Sequence, residues 1–215
     1  MIISASYFKG SIQIDNVQDT APNSNLLGNG SMIEDFISEY EPEILIQCLG
    51  FALYKQLKEN LDETAENGLK ADAVQKWDDL LNGKEYQIDG VPVKWDGLRF
   101  QEGTLRRSLI AYYVFYKFLE NEKANTNVIE VKNSKAASAI PKAVKAWRKF
   151  HSLTVGNYNN PTIIEKSSGF GLDWLTSSNG RRSLYQFIND MNNIDPTTFK
   201  NWNGTHFENL NTFNI

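Results

Sequence analysis

Apolar residues recur at helical spacing through most of the chain and alternate at strand spacing in one clear place. Residues 4–17 alternate weakly, with Tyr7, Ile12, Ile14 and Val17 apolar, which predicts a short strand or an extended arm. A loop rich in Asn, Gly and Pro over 20–30 leads into Ser31-Met32-Ile33-Glu34. This is a capping box: the Ser hydroxyl accepts a first-turn amide and the Glu reaches back. Ile33, Phe36, Ile37 and Tyr40 follow at helical spacing. Pro42 is expected to open a second helix at an angle to the first, because a first helical position needs no amide donor. The stripe of that helix is Leu45, Cys48, Leu49, Ala52, Leu53 and Leu57, ending near Leu61. Gly50 within it costs about 1 kcal/mol against Ala and so implies close approach of a neighbouring helix. A third helix is expected over 71–81, with Val74, Trp77 and Leu81 on one face and Asn82-Gly83 as a left-handed stop.

The strand signal comes next. Tyr86, Ile88, Val91, Val93 and Trp95 flank Asp89-Gly90, the signature of a type I′ hairpin at about 85–96. A lone hairpin is marginal in water, so it must lie on the helices or on another subunit. Residues 103–121 return to a helical pattern with almost no polar face, as expected of the central helix of a bundle, and its tyrosines need hydroxyl partners. A polar connector over 121–134 precedes a helix over 136–150, with Ile140, Val144, Trp147 and Phe150 in register and Pro141 marking its expected start. Beyond His151 the composition shifts. Residues 157–215 hold 12 of the 23 asparagines, which disfavours long helices, and only 182–191 keeps helical spacing. Yet Phe170, Trp174, Trp202, Phe207 and Phe213 remain, and aromatics are scarce in disordered tails. The expected fold class is therefore mainly α: a helical bundle over 1–156 with an inserted hairpin, and an extended C-terminal docking arm over 157–215.

Composition narrows the function classes. A chain of 215 residues suits one domain, with or without an extension, and needs no metal or disulfide to fold. Its net charge of -4 and pI near 5.3 argue against a dedicated nucleic-acid binder, for which the pI usually exceeds about 9. A single cysteine, Cys48, excludes an internal disulfide framework, and His151 and His206 leave little scope for a histidine-rich metal site. No targeting segment is expected, and the longest apolar stretch, 109–119, is too short to span a bilayer. The sequon at Asn203 carries little weight on that basis.

Candidate chemistry is thin. Gly28-Asn29-Gly30-Ser31 lacks the Lys-Ser/Thr of a phosphate loop and reads as a turn into a cap. Glu39, Glu41, Glu43 and the Asp78-Asp79 pair read as solvated first-turn or helix-face acids rather than a glycosidase pair. Cys48 on an apolar stripe reads as a buried, inert thiol. No catalytic, metal or cofactor residue is assigned, and no enzyme is expected. Basic groups stand at Arg106-Arg107, Arg181-Arg182 and Lys142/Lys145/Arg148/Lys149; the last reads as a solvated face or as contact with an acidic partner or DNA. Trp95, Trp174 and Trp202 are either core lids or interface anchors.

Several segments, taken in order, resemble one family. They are Glu39-Tyr40-Glu41-Pro42-Glu43-Ile44-Leu45, then Leu49-Gly50, Leu53-Tyr54, the run from Trp77 to Tyr86, Val93-Lys94-Trp95-Asp96-Gly97-Leu98 and Ser108 to Tyr116. Weaker points are Asn133-Ser134 and Ala146-Trp147, and the ending Asn211 to Ile215 is similar except that Asn214 stands where the family usually has glycine. The family is that of head–tail connector proteins of tailed bacteriophages, the adaptor, ring or neck proteins, of the type in phages infecting Bacteroidetes, including crAss-like phages. The resemblance covers most of 1–150 and the extreme C-terminus; 152–205 match nothing in the family.

The resemblance implies a structural virion protein at the head–tail interface, made in the host cytoplasm. Copies would form a ring, dodecameric by that resemblance, under the portal protein. The ring would extend the DNA channel, touch passing genome DNA transiently and without specificity, and seat the next tail component, with no membrane contact. A stopper or tail-completion ring lower in the neck is one alternative, and a small helical DNA-binding accessory protein another. The candidate interface residues are Tyr86, Ile88, Val91, Val93 and Trp95 of the hairpin, with Trp202, Phe207, Phe213 and Ile215 of the arm.

Overall fold

The computed structural model describes residues 1–14, 29–102, 105–125, 134–156, 180–200 and 202. It is mainly helical, with six α-helices and a few short strands among the described residues. Residues 4–14 form neither strand nor straight arm. They make two single 3₁₀ turns, Ala5–Tyr7 and Gly10–Ile12, whose Tyr7 and Ile12 are buried. Val17 and the hydroxyl of Ser31 lie outside the described residues and side chains.

The first helix, α1 (Asn29–Leu49), runs unbroken through Pro42. The expected second start at Pro42 is therefore corrected: the ring removes one amide donor, and the helix continues. The break falls at Gly50, whose φ of 76° is open to glycine at little cost and turns the chain into α2 (Phe51–Asn60). Gly50 is a junction, not an interior contact. Its amide still donates to the Ile46 carbonyl (2.8 Å), and its carbonyl accepts from Tyr54 (3.0 Å). Ala52, expected on the apolar stripe, is exposed.

The third helix, α3 (Gln75–Asn82), buries Trp77, Leu80 and Leu81 and stops at Gly83, as expected from Asn82-Gly83. Val74 caps it and is exposed rather than packed. Strands β1 (Lys84–Ile88) and β2 (Val91–Trp95) pair antiparallel around Asp89-Gly90, with Ile88 opposite Val91. Both turn residues have positive φ, 50° and 78°, which is the type I′ geometry.

A second small hairpin follows, β3 (Phe100–Glu102) and β4 (Leu105–Arg107). The central helix, α4 (Leu109–Asn125), therefore begins later than the 103 expected. Its start is set by Ser108, whose hydroxyl accepts the Ile110 amide at 3.1 Å. Helix α5 (Ser134–Thr154) carries Pro141 in its interior, not at its start. Both α1 and α5 pack on α4 and scarcely on each other. Tyr113 of α4 joins the layer: its ring meets Tyr40 of α1 and both Trp147 and Phe150 of α5.

The chain returns to this core after 180. Strand β5 (Arg181–Arg182) pairs parallel with β2, giving the order β1-β2-β5. Helix α6 (Leu184–Ile194) opens with a complete capping box between Ser183 and Gln186 and buries Leu184, Phe187, Ile188 and Met191. These residues, Phe199 and Trp202 belong to the same buried cluster as the helices before them. Within the expected arm, Leu184, Phe187, Ile188, Met191, Phe199 and Trp202 thus share the core of the helices before 156. The amphipathic spacing of 184–191 is the signal, and its partner is the part of the hairpin that carries Tyr86 and Trp95.

Candidate functional site

The hairpin is the element that the sequence singles out, and its base and its tip differ. At the base, the apolar face is clamped onto α3 and α6. Trp95 stacks on Phe187 with ring centroids 5.5 Å apart and planes 15° apart, and its indole N–H donates to the Leu80 carbonyl at 3.1 Å. Trp95 is 2% exposed and Val93 is also buried. Tyr86 is half-buried, edge-on to Phe187, and its hydroxyl donates to Asp190 of α6 at 2.8 Å. Burial, and then the Asp190 carboxylate, push the Tyr86 hydroxyl well above its ordinary pKa, so it stays a donor.

Ion pairs brace the rest. Arg182 lies 3.0 Å from Asp190, and Arg181 lies 2.6 Å from Asp96. Lys84 lies 2.6 Å from Asp79, a buried carboxylate that also accepts from Gln75 at 3.0 Å. Arg181-Arg182 therefore stitches β5 to the sheet and to α6, and Asp79 is not a solvated acid.

Toward the turn the same face runs beyond that support: Val91 is 59% exposed and Ile88 half-exposed, and β1 is an edge strand among the described residues. Of the candidate interface residues, then, Val93, Trp95 and Trp202 lie in the chain's own core, where they are unavailable as surface anchors. Trp202 is 1% exposed, between Phe199 (4.8 Å) and Trp77 (5.7 Å). Tyr86, Ile88 and Val91 reach the surface in part or whole. Phe207, Phe213 and Ile215 lie outside the described residues, as do Phe170 and Trp174.

A second polar arrangement was not foreseen. Glu41 is buried, and its carboxylate accepts the amides of Ile2 (2.8 and 2.9 Å) and Ile3 (3.0 Å). Desolvation raises its pKa, against the pull of those amides. The Met1 ammonium pairs with Glu63. Nearby, a polar cavity of about 190 Å³ lies between Ile2, Tyr7, Gly68, Arg99 and Arg106. Arg106 donates to the Ser6 hydroxyl and lies over the Tyr7 ring. This corrects the solvated reading of Glu41. Glu43 is likewise engaged, accepting the Tyr113 hydroxyl at 2.6 Å. No local pattern reveals either role, because the partners lie 39 and 70 residues away.

Among the described residues no group of three or more His, Cys, Asp or Glu side chains is placed to hold a metal ion. Cys48 is fully buried, which pushes its thiol far up and away from a nucleophilic thiolate. No helix among the described residues is long and apolar enough to cross a membrane. Along α5, Ile12, Tyr112, Ile140, Pro141 and Val144 line a groove of about 650 Å³ bordered by Lys142, Lys145 and Arg148. Comparison with known proteins finds no matching family model, no matching curated protein and no matching solved structure.

Proposed function

We propose that the protein is a structural virion component, a head–tail adaptor whose copies form a ring under the portal, extend the DNA channel and seat the next tail component. The observation that carries this reading is the β1–β2 hairpin. It is braced at its base by Trp95, Tyr86 and the Asp190–Arg182 pair, and toward its turn the same face offers Ile88 and Val91, beside a strand edge that is unpaired among the described residues. A rigid support under an exposed apolar tip suits binding between protein surfaces, where preorganisation reduces the ordering cost. The ordered resemblance of the segments from Glu39 to Tyr116 supplies the kind of partner.

Within this reading, Tyr86, Ile88 and Val91, with Phe207, Phe213 and Ile215 further along the chain, are the contacts to the neighbouring copy and to the portal. Co-sedimentation of the full chain with a tailed-phage portal protein tests the proposal. The expected result is a stable complex of ring stoichiometry. A chain that stays monomeric and ignores portal and tail rings would refute it. A second reading, a DNA-binding accessory protein, draws on the exposed Lys142, Lys145 and Arg148. It requires steeply salt-dependent DNA binding that is lost on neutralising those three residues.

A further inference from the structure

Charge is unevenly divided over the three-helix layer. Helix α1 contains Glu34, Asp35, Glu39, Glu41 and Glu43 and no lysine or arginine. Helix α5 contains Lys135, Lys142, Lys145, Arg148 and Lys149 and no aspartate or glutamate. Glu41 and Glu43 are engaged internally, whereas Glu34, Asp35 and Glu39 are exposed and make no ion pair with a described residue. The same holds for Lys142, Lys145 and Arg148. Because both helices pack on α4 and scarcely on each other, the two sets do not neutralise one another within one chain.

Each set also has an apolar companion. Met32 stands 40% exposed beside the acids. Ile140, 41% exposed, forms part of the groove that Ile12, Tyr112 and Val144 complete beside the bases. A knob flanked by Asp35 and Glu39 and a groove bordered by positive charge form a heterologous pair. We propose that the groove along α5 of one copy receives the N-terminal half of α1 of the next copy, with Met32 seated among Ile12, Tyr112, Ile140 and Val144 and with Glu34, Asp35 and Glu39 facing Lys142, Lys145 and Arg148.

Nucleic acid is the less suited occupant of the groove. The chain as a whole carries a net charge of -4, so its field repels a polyanion while the neighbouring copy offers a matched acidic face. The same-face alternative, acid on acid, is repulsive and excluded from the contact. For closure into a ring the inference rests on the adaptor reading above; the contact itself rests on charge and shape alone.

Sedimentation velocity on the full chain at ionic strengths of about 0.01 M and about 1 M, where the Debye length falls from about 30 to about 3 Å, reads the contact directly. The wild type is expected to form species larger than dimers at low salt and to dissociate at high salt. Lys142→Glu/Lys145→Glu/Arg148→Glu and, separately, Glu34→Lys/Asp35→Lys/Glu39→Lys are each expected to weaken association by about tenfold or more, with circular dichroism unchanged. The chain carrying both sets is expected to recover it.

A monomer at low salt, oligomers indifferent to both reversals, or no recovery in the doubly reversed chain overturns the inference. So does a basic-set variant that loses only DNA affinity while still associating. Rings that assemble on the portal regardless of these charges overturn this contact and leave the adaptor reading standing. No assembly in any condition, with or without portal, removes both.

Discussion

Replacing Trp95 by alanine separates a core role from a surface role. The indole is 2% exposed and stacked on Phe187. Removing a buried Trp in this way costs about 3–5 kcal/mol in lost transfer and cavity terms. The hydrogen bond adds little to that figure, because the Leu80 carbonyl also accepts the Leu98 amide at 3.1 Å and is not orphaned. Trp95→Phe keeps a ring against Phe187 and should cost only about 1–2 kcal/mol. For a chain of this size 1 kcal/mol moves the melting temperature by roughly 2–4 °C, so the alanine variant should melt about 6–20 °C lower and the phenylalanine variant a few degrees lower. Differential scanning calorimetry on the full chain reads both values. A Trp95→Ala protein that melts within a degree or two of wild type but no longer assembles would refute the core placement and return Trp95 to the interface.

Other perturbations probe different joints. Val91→Ser at the exposed tip should leave stability within about 0.5 kcal/mol while weakening assembly in a co-sedimentation assay; equal assembly would remove the tip from the interface. Asp190→Ala strips Tyr86 and Arg182 of a shared acceptor and should cost about 2–4 kcal/mol in urea unfolding, with amide exchange in α6 accelerating most. Glu41 has a pKa raised in the folded state, so its share of stability is full below the ordinary carboxylate range and is lost as pH rises through the raised value. Glu41→Gln should flatten that part of the stability–pH curve measured by urea midpoints. A variant that tracks the wild type at every pH would contradict the assignment.

What could be read from the chain, and what could not, divides by range. The β1–β2 hairpin was legible because Asp89-Gly90 dictates its turn within two residues and the flanking alternation sets the register. The stop at Gly83 and the apolar run of α4 from Leu109 to Tyr116 were legible for the same local reasons. Pro42 and Pro141 misled, since each lies inside a helix that tertiary packing carries past a missing donor. The small β3–β4 hairpin escaped because its strands are three residues each and carry charge.

Burial of Glu41 could not be seen, because the amides that hold its carboxylate, those of Ile2 and Ile3, lie 39 and 38 residues away. Of the candidate interface, Ile88 and Val91 reach the surface in part or whole, whereas Trp95 and Trp202 illustrate the ambiguity of isolated aromatics: the same residue anchors a core or a partner. The charge division between α1 and α5 was present in the sequence, but its meaning depended on α4 keeping the two helices apart.

The most direct test of the account is electron microscopy of the full chain incubated with a tailed-phage portal protein. The account predicts a closed ring coaxial with the portal, the hairpin tips at subunit boundaries and Trp95 inside each subunit. Isolated single subunits beside bare portals, in maps clear enough to show either, would contradict it.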